Sequence, residues 1–558
     1  MSGLRKSRRS SPPGRKRRKV TSRRCGIYPT TVLLNGNIVT MDAALPSAQA
    51  IALNGDRIAA IGSSTAISQL AGPDTLSINL KGATVLPGFI DCHIHLVEYG
   101  LSLRNLDLRD TRSVAELKQR VSVRAGEVSS WILGRGWDQE KFAEKRYPTR
   151  QDLDEASPLR PVLLRRVCGH ICVVNSVAMH EASITASTPD PKGGIIDRDT
   201  AGEPTGILRE NAVELIERSV PAPSLEDYER GALAACEKAV EAGLTTVHCI
   251  VSSEAELRAL LKLRADGRLP LRFYVFVPPE QMKAASQLGL MTGFGDEWVR
   301  LGGVKVFTDG SLGARTAALE APYSDDPLNR GVTIYSQEQL DALIFEAHRA
   351  DMQAAVHAIG DRATGMALES IARAKNKIPG KDLRHRIEHA SVLNPQLIRR
   401  LKEIGLIASV QPHFVVSDFW VGQRLGEDRA RFAYSFSSLL KAGVVAVGGS
   451  DCPVEPLAPL SGIAAAVNRS DREEALSIED AIEFYTRNAA YASFDEKVKG
   501  TISPGKYADI VVLEKDPRKV PASKIAETKI MITIVGGKIM YSSASFFKML
   551  KEKEKAAQ

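Results

Sequence analysis

LPGFIDCHIHL, residues 86–96, is the stretch that decides the fold. It starts as an apolar run typical of a buried strand and ends with His93 and His95, one residue apart. In an extended strand the side chains of residues i and i+2 point to the same side, so both imidazoles can share a metal ion. A His-x-His pair also occurs often without a metal, and its meaning therefore depends on the strands around it.

Seven more short apolar runs follow, rich in β-branched residues and separated by segments with helical periodicity. This alternation is typical of βα units around a parallel sheet, and eight such strands predict a (β/α)8 TIM barrel. The predicted barrel strands are Val85–His95, Thr245–Val251, Leu271–Val277, Leu301–Phe307, Met352–Ile359, His385–His389, Leu406–Gln411 and Val444–Gly449.

The chain outside these runs divides into further units. Roughly 150 residues separate the first two strands, too many for one βα connection, so we predict an insertion at 100–223 over the active-site end of the barrel. Alternating strands near both termini, with turns at Asn35-Gly36, Asn54-Gly55-Asp56 and Gly536-Gly537, predict hairpins in a small β-sandwich domain built from both ends of the chain. The predicted domains are a disordered basic tail at 1–26, the β-sandwich at 27–86 plus 498–545, the barrel at 87–497 and a C-terminal tail at 546–558.

The composition excludes several classes of protein. Of the 558 residues, 44% are hydrophobic and 25% are charged, which is ordinary for a globular protein and excludes a collagen, a coiled coil and a mostly disordered chain. No apolar run approaches the ~18 residues that span a bilayer, so a multispanning membrane protein is also excluded. The seven cysteines are few and irregularly spaced, which favours a reducing compartment and a cytoplasmic location.

The positive net charge comes from the N-terminal segment. Residues 1–24 hold eleven Lys and Arg and no acid, so removing them from the net charge of +8 leaves −3 for the rest. The segment is interpreted either as a solvated tail or as a polyanion-binding, nuclear-import-like patch. The body itself shows no basic nucleic-acid surface.

We expect a small-molecule substrate, no nucleic-acid or membrane partner, and an assembly compatible with a homodimer.

Polar residues of metal-ligand type end five of the eight predicted strands. Barrel enzymes place their catalytic groups at the carboxyl ends of the strands. Here several residues of metal-ligand type occupy that equivalent position on different strands. Any single buried histidine is more simply explained by a hydrogen bond to a backbone carbonyl. The candidate ligands are His93, His95, Lys305, His357, His389 and Asp451.

These residues resemble the ligand set of the amidohydrolase superfamily. The wider sequence is similar to its YtcJ-like branch, amidohydrolase family 3, which includes N-substituted formamide deformylases. The resemblance covers about 31–543 and implies a metal-dependent hydrolase on a barrel. Cys92 and the pair His248-Cys249 depart from the common pattern at the pocket floor, which bears on substrate identity more than on chemistry. The segments that carry the resemblance are LPGFIDCHIHL, GWDQEKF (136–142), GHICVVNS (169–176), GEPTGILRENA (202–212), KVFTDGSLGART (305–316), HAIGDRA (357–363) and GSDCPVEP (449–456).

The donor types point to a divalent metal. Neutral imidazoles and a carboxylate are good ligands for Zn²⁺ or a similar ion. A lysine buried beside cations should deprotonate, and its free amine can react with CO₂ to give a carbamate with two oxygens. We therefore predict two Zn ions, one held by His93 and His95 and the other by His357 and His389, bridged by carboxylated Lys305. A mononuclear site, with a structural or substrate-binding Lys305, is the alternative.

The predicted reaction is hydrolysis of a non-peptide C–N bond of the amide or N-formyl type. A metal lowers the pKa of bound water from about 15.7 to about 7, which makes hydroxide available at neutral pH. Asp451 is predicted to take the proton of this nucleophile and pass it to the leaving nitrogen. A simpler role for Asp451 is N-capping of the next helix. Deamination, or lactone, ester or phosphotriester hydrolysis, at the same site is the alternative function, followed by a non-catalytic binding protein on the same fold.

Three further residues are candidate substrate contacts. His170 in the insertion could reach over the metals and stabilise an oxyanion, or it could be an ordinary surface histidine. Arg315 could bind a substrate oxygen or form an ion pair. Trp137 could line the pocket, although a single tryptophan is more often a core residue.

Overall fold

The computed structural model, which describes residues 28–127, 130–166, 171–191, 193–544 and 546, contains the predicted (β/α)8 barrel. All eight barrel strands are parallel and pair in chain order, so their carboxyl ends meet at one face. The predicted fold class is confirmed. The barrel strands are Phe89–Ile94, Leu244–Ile250, Arg272–Val277, Val299–Phe307, Gln353–Ala358, Arg386–His389, Ile407–Val410 and Val445–Gly448.

The first predicted strand is in fact two strands. Thr84–Pro87 belongs to the sandwich and Phe89–Ile94 to the barrel, whereas the other seven predictions lie within two residues of the observed bounds. The chain crosses between the domains at Gly88, where an added Cβ would lie 2.2 Å from the side chain of Thr245. Glycine is required at this close approach, and continuous hydrophobicity across it made the two strands look like one.

Both ends of the chain build the predicted β-sandwich, and their inward side chains share one buried core. One sheet has the order Arg57–Gly62, Ala50–Asn54, Thr31–Leu34 and Leu76–Asn79. The other has the order Lys538–Ser542, Ile530–Val535, Ile510–Leu513, Thr84–Pro87, Asn37–Val39 and Ser47–Ala48. The second sheet therefore joins strands that are more than 400 residues apart in the sequence.

Two of the three predicted hairpins are present. Asn54 pairs with Arg57 and Val535 pairs with Lys538, each across the predicted glycine turn. The hairpin at Asn35-Gly36 is wrong, because the strands on its two sides join different sheets. A turn sequence specifies the backbone reversal but does not determine which strand each arm will pair with.

The predicted C-terminal tail begins too early. Phe546 is buried and packs in the sandwich core, since its apolar ring completes the cluster around Ile532 and Ile534. Residues 547–558 and the predicted basic tail at 1–26 lie outside the described residues. We retain the other boundaries as our proposed division of the chain.

The insertion after the first barrel strand is a unit with its own mixed sheet and two apolar clusters. Its strand order is Gly194–Arg198, Pro204–Glu210, Ile171–Val174, Val162–Arg166, Ile132–Trp137 and Leu106–Asp107. The helices Val114–Glu127 and Arg150–Ala156 supply buried residues to one cluster, and Ser176–Glu181 and Val213–Glu217 supply them to the other. Apolar side chains on both faces of the sheet are thus covered.

Helices cover the barrel and connect its strands. Among the described residues, no helix is both long enough and apolar enough to cross a membrane. The α-helices are Ser64–Ser68, Leu96–Ser102, Val114–Glu127, Arg150–Ala156, Ser176–Glu181, Val213–Glu217, Leu225–Glu241, Glu254–Ala265, Pro279–Gln287, Gln337–Arg349, Asp361–Lys377, Pro395–Ile404, Phe414–Ser417, Val421–Leu425, Glu427–Ala430, Phe436–Lys441, Pro459–Val467, Ile478–Phe484 and Arg487–Ala492, with 3-10 helices at Gln139–Lys141 and Ala522–Glu527.

Candidate metal centre

Three of the predicted ligands meet at the carboxyl end of the barrel. His93 and His95 lie at the end of the first strand, and Asp451 follows the eighth. One ligand atom from each lies within 4.8 Å of the other two. Oδ1 of Asp451 is 3.3 Å from Nε2 of His93 and 3.4 Å from Nε2 of His95. The backbone N–H of Asp451 also donates to the carbonyl of His93 at 2.7 Å, which holds the two segments together.

The other three predicted ligands adjoin this group. The ring centroid of His389 lies 4.7 Å from that of His93 and 4.4 Å from that of His357. Lys305 is buried, and its Nζ lies 3.9 Å from the centre of the Phe307 ring. That ring is itself 5.3 Å from the ring of His357. The structure therefore brings all six side chains to one end of the barrel.

The polar atoms at this point are buried but unpaired. Buried polar atoms in proteins almost always have a hydrogen-bond partner, so four unpaired atoms in one cluster are unusual. Such atoms fit a group that takes lone pairs, and imidazole nitrogens beside a carboxylate suit a divalent metal. The buried atoms with no hydrogen-bond partner among the described residues include Nε2 of His93, Nδ1 of His95, Nζ of Lys305 and Nδ1 of His357.

A buried ion pair fixes the orientation of His93. Nδ1–H of His93 donates to Oε2 of Glu388 at 2.5 Å, and Arg386 donates to both oxygens of that carboxylate. Arg386 also donates to the carbonyl of Cys92 at 2.5 Å and to Oγ of Ser409 at 2.8 Å. Burial favours the neutral acid, but Arg386 and His93 hold the pKa of Glu388 well below its ordinary value. Because a carboxylate only accepts, Nδ1 carries a proton, and in the neutral ring Nε2 keeps its lone pair.

Two of the other three candidate imidazoles are also oriented by a hydrogen bond from one ring nitrogen. Nδ1–H of His389 donates to Oε1 of Gln411 at 2.6 Å, which leaves Nε2 as the free acceptor. Nε2–H of His357 donates to the carbonyl of Gly310 at 3.0 Å, which leaves Nδ1 free. Asp309 lies 3.3 Å from the same Nε2 but accepts three backbone N–H bonds at 2.9–3.0 Å, so it braces the surrounding loops.

The backbone is strained at two of the site residues. His389 has φ of 71° and Asp451 has φ of 54°, a left-handed conformation that residues with a side chain rarely adopt. Hydrogen bonds to neighbouring strands hold both in place, including one of 3.1 Å from the N–H of Ala390 to the carbonyl of Ala358. Strain of this kind persists where the surrounding structure over-determines it, and it is common at functional sites.

The site holds one amine and one carboxylate with shifted pKa values. Burial lowers the pKa of Lys305 to about 8, since desolvation of the ammonium outweighs the attraction of Glu388 and Asp451. Burial would raise the pKa of Asp451, but His93 and His95 hold it well below its ordinary value. A larger fraction of Lys305 is therefore the free amine at neutral pH than for an exposed lysine, and Asp451 is ionised.

Two polar groups underlie the centre at the barrel floor. His248, one of the departures from the common family pattern, is buried and accepts from Nη1 of Arg386 at 3.0 Å. Asp91 accepts from the backbone N–H of His93 and of Ser450, each at 3.0 Å, and so ties the first strand to the eighth. Burial raises the pKa of Asp91 to about 6. These groups hold the ligand segments in register.

The three weaker candidates have different outcomes. Trp137 is completely buried in the insertion, and its Nε1–H donates to the carbonyl of Leu164 at 2.9 Å. Because it has no exposed surface for a substrate, its assignment to the pocket is corrected to a core role. Arg315 forms a two-point ion pair with Asp325 in the loops after the fourth strand. His170 lies outside the described residues.

Sequence reasoning missed the supporting residues Arg386, Glu388, Gln411 and Asp91. The sequence did contain a signal for Arg386 and Glu388. Arg386 and Glu388 alternate in a short strand that is buried on both faces, and charges placed there must pair with each other or with other buried groups. Nothing in the sequence indicated that the partner would be His93, almost 300 residues away.

Comparison with known proteins agrees with this geometry. Residues 77–541 match the amidohydrolase family. The chain is 38% identical to the putative amidohydrolase YtcJ of Bacillus subtilis over 85% of this chain and 92% of that protein. It is 27% identical to the N-substituted formamide deformylase of Arthrobacter pascens over 91% of this chain and 98% of that protein.

A solved structure also resembles this chain. An uncharacterized metal-dependent hydrolase from Pyrococcus furiosus is 34% identical, with a TM-score of 0.77 over 88% of this chain and 100% of that chain. The chain belongs to the amidohydrolase family.

Proposed function

We propose that this hydrolase cleaves non-peptide C–N bonds of the amide or N-formyl type and depends on divalent metal. The observation that carries the proposal is the convergence of unpaired, buried ligand atoms at the carboxyl end of the barrel. Membership of the amidohydrolase family makes the chain a hydrolase. The likeness to a formamide deformylase supports an amide-type substrate.

The proposed metal ligands are those predicted from the sequence. His93 and His95 would hold one Zn ion and His357 and His389 another, with Asp451 beside the first pair. When bound, such ions polarise a carbonyl group and make water acidic enough to act as a nucleophile at neutral pH. The ring nitrogens that carry lone pairs are the ones left free by Glu388, Gln411 and Gly310.

Lys305 is proposed to supply the bridging ligand as a carbamate. Its amine nitrogen forms a bond to the carbon of CO₂, and one proton leaves to solvent, giving N–H and two carboxylate oxygens. The lowered pKa of Lys305 favours the free amine that this addition needs. Its Nζ has no hydrogen-bond partner among the described residues, so no hydrogen bond has to be broken for the addition.

Asp451 is proposed to move the proton. Its carboxylate is ionised and lies within 3.4 Å of both His93 and His95, so it can accept a proton from the attacking water. It then passes that proton to the nitrogen of the breaking C–N bond, which leaves as an amine. The held backbone geometry at Asp451 keeps the carboxylate aimed at the same point throughout the reaction.

A substrate panel tests the proposed function. Metal-loaded protein should hydrolyse at least one simple amide or N-substituted formamide and release an amine, whereas lactones, esters and aminated rings should react more slowly. Release of ammonia from an aminated ring as the fastest reaction would replace the proposal by deamination. No turnover of any amide, formamide, lactam or ester would overturn it.

We also propose a cytoplasmic location. The support is that Cys92, Cys172, Cys236, Cys249 and Cys452 are all buried free thiols. Thiols in this state are typical of proteins in a reducing compartment.

A further inference from the structure

A second histidine–carboxylate pair lies at the same end of the barrel as the metal centre. His413 follows the seventh strand and Glu455 lies four residues after Asp451 in the segment that follows the eighth. Nδ1–H of His413 donates to Oε2 of Glu455. The adjoining residue Phe414 stacks on the ring of His389, with centroids 6.3 Å apart and an interplanar angle of 15°. The pair therefore adjoins the proposed ligands without belonging to them.

The two partners differ in exposure, and the difference leaves one ring nitrogen available. The side chain of Glu455 is 8% exposed, whereas that of His413 is 25% exposed. Because a carboxylate only accepts, it fixes the proton of the neutral ring on Nδ1. Nε2 then carries a lone pair, and no described residue hydrogen-bonds to it. His413 is the residue to which the buried Glu455 carboxylate is paired among the described residues, and burying a carboxylate costs free energy that an ordinary surface histidine does not require.

Exposed apolar side chains lie close to both members of this pair in the sequence. Val416 lies in the short helix Phe414–Ser417 that follows His413, and Phe419 comes just after that helix. Their side chains are 58% and 86% exposed, and that of Val454, next to Glu455, is 65% exposed. All three lie on segments that follow the seventh and eighth strands, where barrel enzymes bind their substrates. A polar acceptor within an apolar surface is the usual composition of a small-molecule site.

We propose that His413 is a substrate-binding residue, that Glu455 positions it, and that Nε2 accepts a hydrogen bond from an N–H or O–H group on an apolar substituent of the substrate. The inference rests on the proposed function and narrows its substrate class to amides with an aryl or similar apolar substituent that carries such a donor. Val416, Phe419 and Val454 contact the apolar part. The metal centre and Asp451 carry out the chemistry without His413.

Matched N-aryl formamides test this assignment. Each pair differs only by a hydroxyl or a methyl group of similar size, placed in turn at each position of the ring. Metal-loaded wild-type protein should favour the hydroxyl compound by about tenfold in kcat/KM at one or more positions, as expected for one partly exposed hydrogen bond. His413→Phe, which keeps a ring but no acceptor, should reduce that ratio to within twofold.

Two further variants separate recognition from structure. In Glu455→Gln the side-chain amide can either donate or accept, so it no longer fixes the ring proton, and the ratio of kcat/KM for the hydroxyl over the methyl compound should fall to about threefold or less. His180→Ala, at an exposed histidine of the insertion, should leave the preference unchanged. Thermal melting checks folding, and Glu455→Gln decides the matter if His413→Phe does not fold.

The outcomes separate the two proposals. Hydrolysis with no preference at any ring position, or a preference retained by His413→Phe, overturns the inference and leaves the proposed function standing. The proposed function is overturned only when wild-type protein hydrolyses no amide, formamide, lactam or ester, but the matched pairs also give no rate when no formamide reacts. In that case calorimetric binding of the same pairs decides the inference. A lower Kd for a hydroxyl compound than for its methyl partner, lost in His413→Phe, supports the inference. Equal Kd values, or binding too weak to measure, overturn it.

Discussion

The sixth barrel strand has a buried histidine at each end, and the two have opposite environments. His385 immediately precedes the strand, accepts from the backbone N–H of Ala354 at 2.9 Å, and shares a bond of 2.9 Å with His348. His348 in turn bonds the carbonyl of Ile378 at 2.9 Å. Every ring nitrogen of this pair has a protein partner. His389, four residues on, joins the cluster in which buried nitrogens lack one.

This contrast teaches how to separate a structural histidine from a functional one. Residue type and burial are the same at both ends of the strand, so neither identifies a ligand. The end of the strand and the number of protein partners do differ, because both ring nitrogens of His385 are bonded, whereas His389 bonds to the described residues through Nδ1 alone. Substitutions at the proposed metal centre can therefore be compared with substitutions of His348 and His385 at the opposite end of the barrel.

Asp451→Asn should have the largest effect. Loss of the group that accepts and returns the proton should lower kcat by about 10²–10⁴-fold. Metal content should stay within a factor of two, since the histidines remain. The reference variant His348→Gln should keep wild-type kcat in the same steady-state assay. Full activity of Asp451→Asn would remove the aspartate from the proposed chemistry.

Glu388→Gln should weaken metal binding without removing a ligand. The neutral amide holds Nδ1–H of His93 less strongly and leaves Arg386 without its counter-charge, so metal affinity should fall about 10–100-fold. Competition with a chromophoric chelator measures this directly. Glu229→Gln, which changes another buried carboxylate paired with Lys262 far from the centre, should leave the metal affinity unchanged. Equal losses in both variants would indicate general destabilisation.

His348→Ala should affect the opposite end of the barrel alone. It leaves His385 without a partner inside the protein, and the free energy of unfolding should fall by about 1–3 kcal/mol. Denaturant unfolding measures the loss, while kcat and metal content should remain within twofold of wild type. A large loss of metal in this variant would break the distinction between the two histidine groups.

His385 should also make stability depend on pH. Burial, reinforced by His348 and Lys375, lowers its pKa to about 3. In the unfolded chain it protonates near pH 6.5, so between pH 6.5 and 3 the unfolded state binds the extra proton. Its contribution is complete above pH 6.5, and the free energy of unfolding should fall by about 1.4 kcal/mol for each pH unit below it.

The variant His385→Asn isolates this contribution. Unfolding curves of metal-saturated wild type and variant, measured from pH 7 to pH 5, should differ in slope by that amount. Because both proteins keep the same residues at the metal end, any acid release of metal affects both curves. Parallel curves would show that His385 is protonated in the folded protein as well.

The barrel could be predicted from the sequence because the hydrophobic periodicity of each segment and the spacing of the apolar runs are local properties of the chain. The candidate ligands could be picked out because they stand at the carboxyl ends of strands, and the topology then brings those ends together. The partners of the ligands were not found, since Glu388 and His93 meet only across the closed barrel. Trp137 was misplaced for a similar reason, because a tryptophan near a functional motif looks the same whether it faces a pocket or a core.

The same limit explains the errors in the sandwich. Asn35 adopts the positive φ that the prediction requires, at 56°, but the strands on its two sides pair with different partners. Pairing depends on residues from the far end of the chain, such as those in Ile510–Leu513, which no local pattern reveals. Local geometry was predictable at this turn, and sheet membership was not.

The most direct test of the central claim is a crystal structure of metal-loaded protein with anomalous diffraction recorded at the zinc edge. We expect two anomalous peaks among His93, His95, His357 and His389, with density for a carboxyl group on Nζ of Lys305. The pair His348 and His385 should show no peak. Absence of metal at the carboxyl end of the barrel, or a peak at His348 and His385 instead, would contradict the account.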